Sequence, residues 1–206
     1  MESIEAGALA RNDRYLREFV EALDLCPFAR RCREIGRLAR LVLAGGRPIE
    51  STAAAVRDLE QTGEEETEVA LLIYPGFAGD LRAFEEFRSE VRASLRLFHC
   101  VAFHPDLPMD LGDANRAVAF LRRAPDPTLQ LVRIATLDRV RSGRPAGSVY
   151  LDASEIPLDE VRLLQRPLSV SEQIAEANFR TLQRLDPEEL ARLLAGFRKA
   201  SGPGTA

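Results

Sequence analysis

Six apolar residues in a row, Val69-Ala70-Leu71-Leu72-Ile73-Tyr74, run into Pro75-Gly76. A half-exposed strand would alternate in polarity and a surface helix would show polar residues within each turn. The run therefore predicts a strand covered on both faces, at the centre of a sheet flanked by helices.

The neighbouring segments supply the rest of such a sheet. Leu38 to Leu43 reads as a strand turned by Gly45-Gly46, a second ends at His104-Pro105-Asp106, and Leu129 to Ile134 is another. Helical periodicity lies between them. Ser51 is placed to cap a helix through Leu59, and Asp80 to cap one carrying Leu81, Phe84, Phe87, Val91 and Leu95 on one side. Asp113 to Arg122 is a third helix, stopped by Pro125 and Pro127.

Upstream, Met1 to Ala10 reads as loose chain. Tyr15, Leu16, Phe19, Val20 and Leu23 then recur at helical spacing over Asp13 to Leu23. Cys26 is placed at the N-cap of a short helix from Pro27 to Ile35, closed by Gly36. Downstream, Arg139 to Ser148 reads as a polar loop. Helices follow at Ile156 to Leu164 and at Ser169 to Arg184, where Ser169 and Glu172 have capping-box spacing. A last helix opens at Asp186-Pro187-Glu188-Glu189. The expected fold is α/β: a mostly parallel or mixed four-stranded sheet flanked by helices, with C-terminal helices over about residues 155–199 packed on it. Residues 1–200 form one domain and 201–206 a disordered tail.

Bulk properties narrow the function classes. A net charge of -4 with no Lys/Arg-rich run gives no general attraction to nucleic acid. No apolar run approaches the ~20 residues of a membrane span. The N-terminus lacks the basic start and apolar stretch of a signal peptide, and three cysteines do not suggest a secreted disulfide framework. These features describe a reduced, cytoplasmic protein.

In an open parallel sheet, ligands bind beyond the carboxyl ends of the strands. His104-Pro105-Asp106 and Tyr74-Pro75-Gly76 both lie at such ends. A helix feeding antiparallel into the first strand would bring Cys26 to the same rim. Cys26 at a helix N-terminus suits a nucleophilic or redox thiol. His104 suits a general acid or base with Asp106 beside it. These three are the candidate catalytic residues, and as a set they are also the candidate metal ligands. Arg123 and Arg133 are candidates for holding an anionic substrate, with Tyr74 at the rim. Asn178 lies on the apolar stripe of its helix, where a buried amide pins a loop or touches a ligand. Cys32, Cys100 and His99 read as core or surface residues without a chemical role.

Leu25-Cys26-Pro27-Phe28-Ala29, Phe103-His104-Pro105-Asp106, Arg123-Ala124-Pro125-Asp126-Pro127 and Asn178-Phe179-Arg180-Thr181-Leu182, in this order, resemble the bacterial family called domain of unknown function 1415. The resemblance spans about residues 13–185. It implies that Cys26, His104, Pro105, Arg123, Pro125, Pro127 and Arg133 are signature positions, and it carries no activity with it. Gln130 and Ile134 stand where the family shows His and Glu, and Arg122-Arg123-Ala124-Pro125-Asp126-Pro127 where it shows Asn-Arg-Ser-Pro-Tyr-Pro.

Three functions remain open from sequence. The leading one is a small-molecule enzyme with a Cys26–His104 thiol–imidazole site and arginine-assisted binding of an anionic substrate, requiring no cofactor. The others are a metal-dependent enzyme on Cys26, His104 and Asp106, and a non-catalytic binding or interaction protein.

Overall fold

The computed structural model describes residues 3–26, 29–108, 110–142 and 170–198. In chain order it contains α1 (Ile4–Tyr15), a π-helical continuation (Leu16–Glu21), α2 (Ala29–Glu34), β1 (Leu38–Val42), α3 (Ile49–Gln61), β2 (Val69–Ile73), α4 (Leu81–Ser94), β3 (Phe98–Phe103), α5 (Ala114–Leu121), β4 (Thr128–Arg133), α6 (Ile134–Ser142), α7 (Val170–Leu182) and α8 (Pro187–Arg198). The fold is α/β with a four-stranded sheet in the order β1-β2-β4-β3.

The sheet is mixed. β1 pairs parallel with β2, and β4 lies antiparallel between β2 and β3. The reason lies in the connection out of β3. Phe103 at the end of β3 pairs with Thr128 at the start of β4, so the chain leaves and re-enters the sheet at one edge. α5, only 8 residues long, does not carry it across to the far edge. Two backbone bonds hold this arrangement: the His104 N–H donates to Arg122 O (3.0 Å) and the Tyr74 N–H to Pro127 O (2.9 Å).

All five residues of β2 are buried, as the apolar run demands. Side-chain alternation divides them between two cores. Leu71 and Ile73 pack with α1, the π-helical segment, α5, α7 and α8 around Phe19, Phe120 and Phe197. Ala70 and Leu72, with Tyr74 just beyond, pack with α3 and α4 around Phe84 and Phe87. Burying such rings contributes roughly 1.5–3 kcal/mol each, which explains why both helical layers hold to the sheet.

Several local expectations are corrected. α1 begins at Ile4 rather than Asp13, because Ser3 caps it by accepting from the Ala6 N–H (3.0 Å) and Ala8 is fully buried. Ser51 lies inside α3, whose N-cap is Pro48, and its hydroxyl donates to Pro48 O (3.2 Å). Residues 139–142 belong to α6 rather than to a loop. Gly36 closes α2 at φ 73°, a conformation that favours glycine, with the Arg37 N–H bonded to Cys32 O (2.8 Å). Asp80 and Asp113 cap α4 and α5 through the N–H groups of Ala83 and Arg116, both at 2.9 Å. The expected helix at 156–164, the Ser169 cap, Pro27, residues 143–148 and the tail at 201–206 lie outside the described residues.

Candidate functional site

Pairing Val42 with Ile73, Ile73 with Thr128 and Thr128 with Phe103 brings the ends of β1, β2 and β3 and the start of β4 to one rim. His104 is the first residue beyond β3 and is 2 % exposed. Pro105 cannot extend a ladder, so the chain turns, and the Leu107 N–H closes the turn on His104 O (3.2 Å). The Asp106 N–H donates to His104 Nδ1 (3.2 Å). Nδ1 is therefore an acceptor, and neutral His104 carries its proton on Nε2. Burial against Phe84 (ring centroids 5.6 Å apart) lowers the His104 pKa. Asp106 acts against that, Arg198 adds to it, and Asp80 and Glu85 oppose it.

The Asp106 carboxylate does not orient the imidazole, since its Oδ2 is 3.9 Å from Nδ1. The backbone N–H does so. The carboxylate instead accepts from Arg198 Nη2 (2.8 Å), which ties the turn to the last residue of α8.

Arg123 follows α5 and reaches the same turn from the other side. Its Nε–H donates to Pro105 O (3.2 Å), and among the described residues its two terminal amino groups have no acceptor. A cavity of about 80 Å³ opens here between the turn and α8, lined by Pro105, Arg123, Ala124, Leu194, Ala195 and Arg198, with Ala191 behind. Two guanidiniums and an apolar floor thus meet at the carboxyl rim.

The other anticipated residues lie elsewhere. Tyr74 is fully buried and its hydroxyl is bonded to Thr52 Oγ1 (3.1 Å), so it braces α3 instead of facing a ligand. Cys26 packs with Leu25 against the α1–α5–α7–α8 core, whereas the His104 ring packs on Phe84 in the α3–α4 core. Thiol and imidazole are therefore on opposite faces of the sheet, and the expected single cleft holding both is corrected. Cys26 lies near Tyr15 and Cys32.

Arg133 starts from the opposite end of the sheet, opposite Phe98. It is buried, and its guanidinium donates to Thr67 O (2.7 Å), Thr62 O (2.5 Å) and Leu59 O (3.0 Å). These bonds leave it joining the α3–β2 connection, remote from the rim. Asn178 donates to Leu25 O (3.0 Å) and pins the segment before Cys26. Among the described residues, no three His, Cys, Asp or Glu side chains are grouped to hold a metal ion, and the trio Cys26, His104 and Asp106 is divided between the faces.

Two features escaped sequence reasoning. Arg198 looks like the ordinary basic residue that ends a helix, and only the packing of α8 brings it to Asp106. Glu68 looks like a solvated charge before β2, yet it is fully buried. Burial alone would raise its pKa, but Arg37 and Arg31, bonded at 2.6 and 2.7 Å, outweigh that and hold it below the usual carboxylate value. The arginine-rich Arg30-Arg31-Cys32-Arg33 run was the available signal.

The profile of a family described as protein of unknown function (DUF1415) matches residues 8–171. No curated protein and no solved structure matches the chain. No helix among the described residues is long and apolar enough to cross a membrane.

Proposed function

The chain belongs to the DUF1415 family of proteins of unknown function, and from that premise we propose that it binds a small anionic molecule at the carboxyl rim of its sheet. The observation that carries this reading is the Arg123 guanidinium, which belongs to a residue lining the cavity and, among the described residues, is held by a single bond, to Pro105 O. A half-buried guanidinium without a carboxylate partner is costly, and a bound anion would satisfy it with paired N–H contacts. Arg198 supports the same reading from the far wall. His104 shapes the turn that carries Pro105 and Asp106. Cys26 has no part in this site.

Titration calorimetry on the full chain with sulfate, phosphate, acetate and butyrate, at constant ionic strength in chloride, tests the proposal. Saturable binding of at least one anion is expected, weakened tenfold or more in Arg123→Gln and less in Arg123→Lys. Absence of saturable binding by all four, or equal binding by Arg123→Gln, would overturn it.

A further inference from the structure

We infer that the ligand is a short-chain monocarboxylate, a single negative charge on an apolar tail of two or three carbons, and not a phosphate. The inference rests on the anion-binding reading above and adds its chemical class.

Charge comes first. Among the described residues, Arg123 and Arg198 bring two positive charges, and Asp106, bonded to Arg198 at 2.8 Å, takes one back. One negative charge on the ligand neutralises what remains, while a second would leave the site with a net negative charge. Helix polarity acts in the same sense. The cavity lies at the C-terminal ends of α5 and α8, since Arg123 and Ala124 follow α5 and Leu194, Ala195 and Arg198 lie in the last turns of α8. Helix C-termini carry partial negative charge, whereas phosphate sites use N-termini and their open N–H groups.

Donor supply comes second. The backbone N–H groups of Arg123 and Ala124 are already bonded to Phe120 O (3.1 Å) and Arg122 O (3.0 Å). Those of Leu194 and Ala195 lie inside a helix. Among the described residues only the two guanidiniums remain, so every bond to the anion comes from a side chain and none from the backbone N–H groups on which phosphate sites draw.

The floor comes third. Ala124, Ala191, Leu194 and Ala195 offer no polar atom beyond the backbone. A volume of about 80 Å³ has room for two or three groups of about 30 Å³ each, a propionyl or butyryl tail. Each buried methylene should tighten binding about fourfold.

The experiment is titration of the full chain with acetate, propionate, butyrate and inorganic phosphate, with Ala195→Leu and Arg198→Gln as variants. Ala195 is exposed on α8 and leucine suits a helix, so Ala195→Leu narrows the cavity without disturbing the core. Affinity should rise from acetate to butyrate, exceed that for phosphate at least tenfold, and fall at least tenfold in Ala195→Leu and fivefold in Arg198→Gln. Phosphate binding as tightly as butyrate, with loss in Arg123→Gln, would overturn this inference and leave the anion reading standing. Butyrate binding unchanged in Ala195→Leu would also overturn it. Binding of none of the four, nor of sulfate, would overturn both.

Discussion

Replacing Arg133 by methionine separates a structural arginine from a ligand-holding one. Methionine keeps the length of the side chain and most of its packing but has no donor. The change strands the carbonyls of Thr67, Thr62 and Leu59, bonded at 2.7, 2.5 and 3.0 Å, and removes the guanidinium stacked 4.8 Å from the Phe98 ring centre. A hydrogen bond from a charged donor contributes roughly 1.5–3 kcal/mol. Three bonds from one group do not add fully, and the carbonyls at the end of α3 regain some water, so a net loss of about 4 kcal/mol is expected. With a urea slope of about 2.5 kcal/mol/M, the unfolding midpoint should fall by about 1.6 M. Urea unfolding followed by circular dichroism measures this, with an unchanged slope showing that the folded and unfolded ensembles are comparable. Anion affinity, measured on the same protein below the transition, should stay within twofold of the parent. A destabilisation below about 1 kcal/mol together with lost anion binding would refute the reasoning, since Arg133 would then be spent on a ligand and not on the α3–β2 connection.

Four further outcomes are expected. Because burial holds the His104 pKa below its ordinary 6.5, the unfolded chain takes up the proton first as pH falls. The stability this group contributes is complete above pH 6.5 and is lost as pH drops towards the folded value. His104→Asn, which retains an acceptor for the Asp106 N–H, should flatten that part of the stability profile between pH 7.5 and 5, and parallel profiles for the two proteins would contradict the assignment. Burial pushes the thiols of Cys32 and Cys100 up to about 11 and about 12, so a disulfide reagent at pH 8 should leave both unmodified until the protein unfolds. Rapid reaction of more than one thiol in the native protein would count against this. Asn178→Ala should cost about 1–3 kcal/mol by leaving Leu25 O without its donor, and no change in thermal stability would mean that the amide pins nothing. Cys26→Ala and His104→Ala, on opposite faces of the sheet, should have stability effects that add within about 0.5 kcal/mol, and a larger coupling energy would show that the two side chains communicate.

Much of the fold was legible because it rests on local chemistry. The run Val69–Tyr74 is apolar on every side and the structure buries all of it. Asp80 caps α4 because a short carboxylate reaches the open N–H groups of a first turn wherever the rest of the chain lies. The alternation Phe98, Cys100, Ala102 against His99 follows from the pleat, and the structure buries the first three and exposes the fourth.

What tertiary structure alone decided was which chemical groups meet. The sequence by itself determined an α/β sheet with His104 at the end of a strand and Arg123 after a helix, because strand ends and helix ends are set within a few residues. It did not determine that β4 would run antiparallel, which follows from where the chain re-enters the sheet. Nor could it place Cys26 on the far face from the imidazole, Arg133 at the far edge, or Arg198 beside Asp106, 92 positions away. A helix or a strand is specified by neighbours along the chain, whereas the side of a sheet on which a helix packs is chosen by how its apolar stripe matches surfaces distant in sequence, and that choice separated the thiol from the imidazole while joining two arginines across one small cavity.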